Sequence, residues 1–136
     1  DQYFRTIKNS LKSNGHAAIQ GIIIRDNLFD RYRAEEDFIQ KYIFPGGFLP
    51  SLEYIKELVE KNQLGLEKIN SYSDDYAKTL LTWKNNFFKT WDNISPLGFD
   101  DYFKRMWEFY LCYCEAGFKS KNIDLIQFSM SNRQTT

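Results

Sequence analysis

Tyr76 stands beside Asp74 and Asp75 and opens a run, Tyr76, Leu80, Trp83, Phe87 and Trp91, whose steps of 4, 3, 4 and 4 residues trace one helix face. A phenol at the start of such a helix can donate a hydrogen bond to an anion, although aromatics at this spacing are most simply core. Gln20-Gly21 interrupts an otherwise apolar stretch, Ala17-Ala18-Ile19 before it and Ile22-Ile23-Ile24 after it. A buried amide must find partners, and the neighbouring glycine lets a ligand approach the backbone, so this pair is either structural or site-forming. Cys112 and Cys114 lie two positions apart in a helical pattern, which turns them about 200° from each other. With His16 the one histidine and far away, they lack the ligand set of a zinc site, and no metal is expected. Cys114 continues the stripe Phe99, Phe103, Met106 and Tyr110, which makes it core or pocket lining. His16 reads as an ordinary polar residue at a strand edge. The seven glycines form neither G-x-G-x-x-G nor a P-loop, so no residue here is assigned to a nucleotide or phosphate cradle.

Composition narrows the classes further. The chain of 136 residues has the length of one domain, and its 18 basic and 18 acidic residues cancel. A nucleic-acid binder normally carries a basic surplus, so that class is disfavoured. Aromatics make up 18% of the residues, enough for a large core and incompatible with intrinsic disorder. No apolar run approaches the roughly 20 residues of a spanning helix. Two closely spaced cysteines suggest a reducing compartment rather than a disulfide framework. The chain opens Asp1-Gln2-Tyr3-Phe4, without Met, and reads as a piece of something longer.

The elements that must position these residues follow from periodicity. Tyr3, Phe4, Ile7 and Leu11 predict an amphipathic helix ending at Ser13-Asn14-Gly15. Ala17 to Ile24 predicts a strand buried on both faces, as in a parallel or mixed sheet. Residues 25–34 read as a surface connection, and Phe38 to Tyr42 as a short helix. Phe44 to Pro50 is a rigid turn with two prolines and two glycines. Ser51 is placed to cap a helix running through Leu58 and Val59. Leu64-Gly65-Leu66 reads as its end, with a weak strand over Lys68 to Tyr72. Two long helices follow, on the Tyr76 and Phe99 stripes, and Ile123 to Met130 closes the chain as a strand with Ile126, Phe128 and Met130 on one face. The order is that of an α/β protein.

Longer runs of residues carry a resemblance. Phe38-Ile39-Gln40-Lys41-Tyr42-Ile43-Phe44-Pro45-Gly46-Gly47-Phe48-Leu49-Pro50-Ser51 closely resembles the signature segment of the cyclopropane-fatty-acyl-phospholipid synthases and the related mycolic-acid cyclopropane synthases. Ile19 to Ile24 is similar to a late sheet strand of that family, Asp75 to Leu80 to the helix delivering an active-site tyrosine, and Phe103 to Gln127 to its last helix and strand. The resemblance covers residues 2–131. It implies an α/β chain that is the C-terminal portion of a Rossmann-like class I S-adenosylmethionine-dependent methyltransferase fold, rearranged or swapped if its N-terminal half is missing. Residues 1–136 would then be a C-terminal fragment of one methyltransferase domain, with the cofactor-binding half upstream.

The implied reaction transfers a methyl group from S-adenosylmethionine to the cis double bond of an unsaturated phospholipid acyl chain; the resulting carbocation loses a proton and closes a three-membered ring. The resemblance places Tyr76 on a bound bicarbonate, the family's base, with the Ile22 backbone beside it. Gln20 stands where many members have a histidine, a departure, because an amide cannot accept a proton. It makes Cys114 a pocket residue, and Leu80, Trp83 and Tyr110 join it as acyl-pocket candidates on the aromatic stripes. The piece alone is expected neither to bind S-adenosylmethionine nor to methylate. Its setting would be cytoplasmic and peripheral at the inner membrane face, with Lys119 and Lys121 near headgroups, and an unpaired edge on the Ile19–Ile24 strand favours a homodimer. The alternatives are a fatty-acid methyl-branching methyltransferase, a non-catalytic lipid-binding module, and an interaction domain with no cavity between the Tyr76 and Phe99 helices.

Overall fold

The computed structural model describes residues 1–132. The chain runs α1 (Gln2–Ser10), β1 (His16–Ile24), α2 (Asp26–Ala34), a π-helical turn (Ile39–Ile43), α3 (Leu52–Lys61), β2 (Leu64–Ser71), α4 (Ser73–Lys89), α5 (Trp91–Ile94), a 3-10 turn (Ser95–Leu97), α6 (Asp101–Lys119) and β3 (Ile123–Asn132). The three strands form one sheet in the order β1-β3-β2, antiparallel throughout.

The alternation of β3 divides the core in two. Ile126, Phe128 and Met130 face α1 and α3, where they pack with Phe4, Ile23, Ile55, Val59 and Leu64. Leu125 points the other way, into a second cluster with Ala77 and Leu80 of α4 and Leu111 and Phe118 of α6. Ser51 caps α3 by accepting a hydrogen bond from the Tyr54 N–H at 3.2 Å, as its position predicts. Gly117 lets α6 settle on β3: a Cβ there would sit 3.0 Å from the Ile123 side chain.

Three expectations are corrected. Strand β1 is not buried on both faces of a parallel sheet: it pairs antiparallel with β3, and Ala18 and Gln20 are exposed. The helices α4 and α6 cover only its Ile22 end. Residues 25–34 are not a connection but mostly helix α2, whose single buried side chain, Phe29, leaves too faint an apolar stripe to read. Leu64-Gly65-Leu66 does not end a helix; it begins β2, with Leu64 wholly buried against β3.

The α4–α6 hairpin carries its own polar clamp. Glu115 is buried and accepts hydrogen bonds from Lys84 Nζ at 3.0 Å and Lys119 Nζ at 2.5 Å. Lys119 and Lys84 hold the Glu115 carboxyl below the ordinary carboxylate range. Ser73 Oγ donates to the Phe118 carbonyl at 2.8 Å, tying the start of α4 to the end of α6. A carboxyl depressed by folding stabilises above its unfolded range, and that contribution disappears as pH falls through the depressed value. Glu115→Gln is therefore expected to lower the melting temperature at neutral pH, with the gap to wild type closing on acidification below the carboxylate range. A gap independent of pH would contradict the clamp.

Candidate active site

Helix α4 delivers Tyr76 from its first turn. Its ring meets Phe118 edge-on at 4.9 Å and Trp83 at 5.9 Å. Tyr110 and Cys114, one turn apart on α6, pack with Ile22 and Tyr76 against the same buried cluster. From the third side comes the rigid turn after the π-helical segment, whose Phe44 ring lies edge-on to Tyr110 at 6.1 Å. Trp107 leans on Tyr110 from below, 4.8 Å between centroids.

That turn is itself held by a reciprocal cap. Gln40 N–H donates to Asp37 Oδ1 at 2.9 Å, Asp37 N–H donates to Gln40 Oε1 at 3.0 Å, and Gln40 Nε2 donates to the Gly47 carbonyl at 3.1 Å. Gly46, at φ +79°, supplies the left-handed residue the turn needs. The Ile24 N–H donates to the Pro50 carbonyl at 3.0 Å and fastens the far end to β1.

The pocket's titratable groups all keep their protons. Burial pushes the Tyr110 phenol up to about 12, with Cys114 and Tyr76 adding to it. Burial likewise lifts the Cys114 thiol to about 11, helped by Asp37. Tyr76 is raised too, first by burial and then by Cys114. Among the described residues neither the Tyr76 nor the Tyr110 hydroxyl has a hydrogen-bond partner, so two neutral phenols stand with donors to spare. Asp37 is the carboxylate at the rim: Tyr113 donates to its Oδ2 across 3.5 Å, and burial followed by Asp37 raises the Tyr113 phenol. Opposite it, Tyr32 accepts from the Leu49 N–H at 3.1 Å.

Ile22, Leu80, Tyr76, Tyr110 and Cys114 thus share one cluster. Leu80 is 1% exposed and is part of the packing between α4 and α6, while Trp83 is 46% exposed. Gln20 lies on the Ile22 face of β1 but beyond the helices. It is exposed, and its Oε1 accepts from Gln127 Nε2, its cross-strand partner, at 2.9 Å. His16 meets Glu67 at 3.2 Å on the surface. Cys112 faces away from Cys114, 3.6 Å from Lys84, and no metal-ligating cluster occurs among the described residues. Sequence reading missed Asp37, whose Asp-x-x-Gln spacing to Gln40 is the signal that could have found it.

A family model for mycolic acid cyclopropane synthetase matches residues 1–128. This chain belongs to that family. Relatives in the synthetase family include a tuberculostearic acid methyltransferase of Mycobacterium tuberculosis, 38% identical over 95% of this chain and 30% of its own length. The cyclopropane-fatty-acyl-phospholipid synthase of Escherichia coli is 30% identical over 96% of this chain and 33% of its own. The chain therefore spans about a third of the curated relatives it matches. Among solved structures, a cyclopropane synthase from M. tuberculosis superposes with TM-score 0.84 at 22% identity, covering 96% of this chain and 48% of that one. A mycolic acid cyclopropane synthase complexed with SAH and CTAB gives 0.83 at 24% identity. The α/β fold is that of the synthetase methyltransferase domain, with its elements placed rather than rearranged.

The residues of this chain do not fit S-adenosylmethionine. Gly46 and Gly47 shape the pocket turn, Gly98 ends the 3-10 turn and Gly117 is wedged against Ile123, so no glycine opens a helix after a strand as a cofactor cradle requires. The pocket chemistry has a direct check. In a Cys112→Ser variant, the alkylation rate of Cys114 should still be rising at pH 10, because its thiol ionises near 11. A plateau by about pH 9, where an ordinary thiol is ionised, would contradict a desolvated site.

Proposed function

We propose that this chain forms the acyl-chain side of an S-adenosylmethionine-dependent methyltransferase acting on the cis double bond of an unsaturated phospholipid acyl chain. The observation that carries this reading is the packing of Tyr76, Tyr110 and Cys114 into one half-buried cluster faced by the rings of Phe44, Trp107 and Phe118. Family membership supports the reaction class, and the methyl donor binds outside this chain.

Adding a methyl group to an alkene leaves a carbocation on the neighbouring carbon. Aromatic faces stabilise that charge, and exclusion of water prevents its capture. The Cys114 thiol, raised to about 11, and the Tyr110 phenol, raised to about 12, with Tyr76 raised as well, are no acceptors for a proton at neutral pH. The proton lost on ring closure must therefore go to an anion. Bicarbonate fits: the Tyr76 hydroxyl is a donor without a partner among the described residues, beside Ile22. That ion, when bound, supplies the acceptor for the proton, while Tyr76 orients it and the surrounding rings keep the site dry.

One observation favours a second outcome. Gln20 is an amide that cannot accept a proton, and the relative sharing 38% identity is named a tuberculostearic acid methyltransferase. A site that holds its anion differently removes the proton from the added methyl group and leaves a methylene branch instead of a ring.

In the full-length protein, supplied with S-adenosylmethionine and a monounsaturated phospholipid, Tyr76→Phe should lower kcat on the order of 10²-fold with little change in KM, the loss of one preorganised donor. Proton NMR of the product separates upfield cyclopropyl signals from those of a vinylidene group. Wild-type kcat in Tyr76→Phe, or no modified lipid from the wild type, would overturn the proposal. Residues 1–136 titrated alone with S-adenosylmethionine should show no heat of binding, and micromolar affinity would refute the assignment of the donor site elsewhere.

A further inference from the structure

A groove of about 260 Å³ lies between the π-helical turn and the first half of α6, lined by Phe38, Tyr42, Tyr102, Arg105 and Met106. It is separate from the Tyr76 pocket, on another face of α6. Tyr102, Met106, Phe109 and Tyr113 recur at helical spacing along this face, while Phe103, Trp107, Tyr110 and Cys114 face α4. Phe38 extends the groove along this face of α6, its ring packing edge-on against Phe109 at 4.7 Å and reaching Tyr113, the neighbour of Cys114, at 6.3 Å.

The charge in this groove is unspent. Arg105 is exposed and makes no ion pair among the described residues, although Asp101 and Glu108 lie one turn to either side. Asp100 does not neutralise it either, because its carboxylate accepts the Phe103 N–H at 2.8 Å as the cap of α6. A second cation without an ion pair among the described residues, Lys41, belongs to the π-helical turn and lies 5.3 Å above the ring of Tyr42, which lines the groove. Beyond the groove the apolar surface continues outward over Tyr102 (62% exposed), Phe99 and Leu97 (74% exposed).

We infer that this groove binds the phosphodiester and first methylenes of a two-chain phospholipid, with Arg105 and Lys41 on the phosphate and Phe38, Tyr42, Tyr102 and Met106 around the glycerol and upper acyl carbons. The inference rests on the proposed function and extends it. A guanidinium recognises two phosphate oxygens at once, and the apolar walls select a head that carries hydrocarbon. The volume, slightly under the roughly 300 Å³ at which drug-sized pockets begin, suits a head and a few methylenes, not a whole chain. One acyl chain then continues past Phe38 towards Cys114. The second lies on Tyr102, Phe99 and Leu97, an apolar surface that a single-chain fatty acid leaves uncovered.

Calorimetry on the full-length protein with dihexanoylphosphatidylglycerol below its micellar concentration tests this. Arg105→Gln should weaken binding roughly 10-fold, the order expected for losing a charge-assisted hydrogen bond. Lys41→Gln should weaken it less, and Met106→Trp, which fills the groove but keeps both cations, should abolish it. Glycerophosphoglycerol without chains and dihexanoylglycerol without phosphate should each bind at least 10-fold more weakly than the intact lipid. Unchanged affinity in Arg105→Gln, or equal affinity for dihexanoylglycerol or hexanoate, would overturn the site. Turnover separates this from the proposed function. A raised lipid KM at unchanged kcat in Arg105→Gln supports both. Weakened lipid binding without any methylated product leaves the groove standing and the function fallen. Methylation with wild-type KM in Arg105→Gln does the reverse.

Discussion

Desolvation at the contact between α4 and α6 is the constraint on which the site depends. Leu80, Leu111 and Phe118 are almost completely buried there, and Tyr76 and Tyr110 pack half-buried against them. A phenolate in such a place has lost part of its hydration without gaining a cation to replace it, which raises both phenols. Four nearby cations are engaged elsewhere: Lys84 and Lys119 with Glu115, Lys121 with Asp74, and Lys104 with the rings of Trp91 and Phe88.

The rigid turn supplies the remaining wall. Two prolines, Gly46 at positive φ and the Asp37–Gln40 cap fix its path, and the Pro50 carbonyl anchors it to the end of β1. Phe44 is thereby brought over Tyr110 although the turn has little core of its own. Asp37 does two things at once: one oxygen caps the π-helical turn, and the other faces Tyr113 at the rim. Its negative field falls on Cys114 and discourages the thiolate further.

Much of this was legible in the sequence, and the failures have physical reasons. The stripes from Tyr76 and Phe99 announce the hairpin because most of their members, Leu80 and Phe87 on one helix and Tyr110 and Cys114 on the other, pack into the shared cluster. The Ser51 cap and the face of Ile126, Phe128 and Met130 are local signals that tertiary packing left intact. Helix α2 was hidden because it buries Phe29 alone, and polar helices resemble loops in composition. The Leu64-Gly65-Leu66 misreading arose because glycine weakens both helix and strand, and only pairing with β3 decides between them. Strand β1 looked buried on both faces because hydrophobicity reports what a residue tolerates, not what covers it. The second aromatic face of α6, over Tyr102, Met106, Phe109 and Tyr113, escaped because a helix apolar on two sides has no clear stripe, and Met106 was assigned to the wrong one.

The central claim is that burial, rather than any specific partner, keeps the pocket's acids neutral. Carbon-13 NMR of the protein labelled at tyrosine Cζ reads each phenol separately, with Tyr110→Phe and Tyr76→Phe assigning two signals. At pH 11 a labelled N-acetyltyrosine amide added as reference should be largely ionised, free phenols titrating near 10. Tyr110 should still be protonated, since its own value is about 12. A Tyr110 signal moving together with that of the reference phenol would show that burial does not raise Tyr110, and the account of a desolvated site would be wrong.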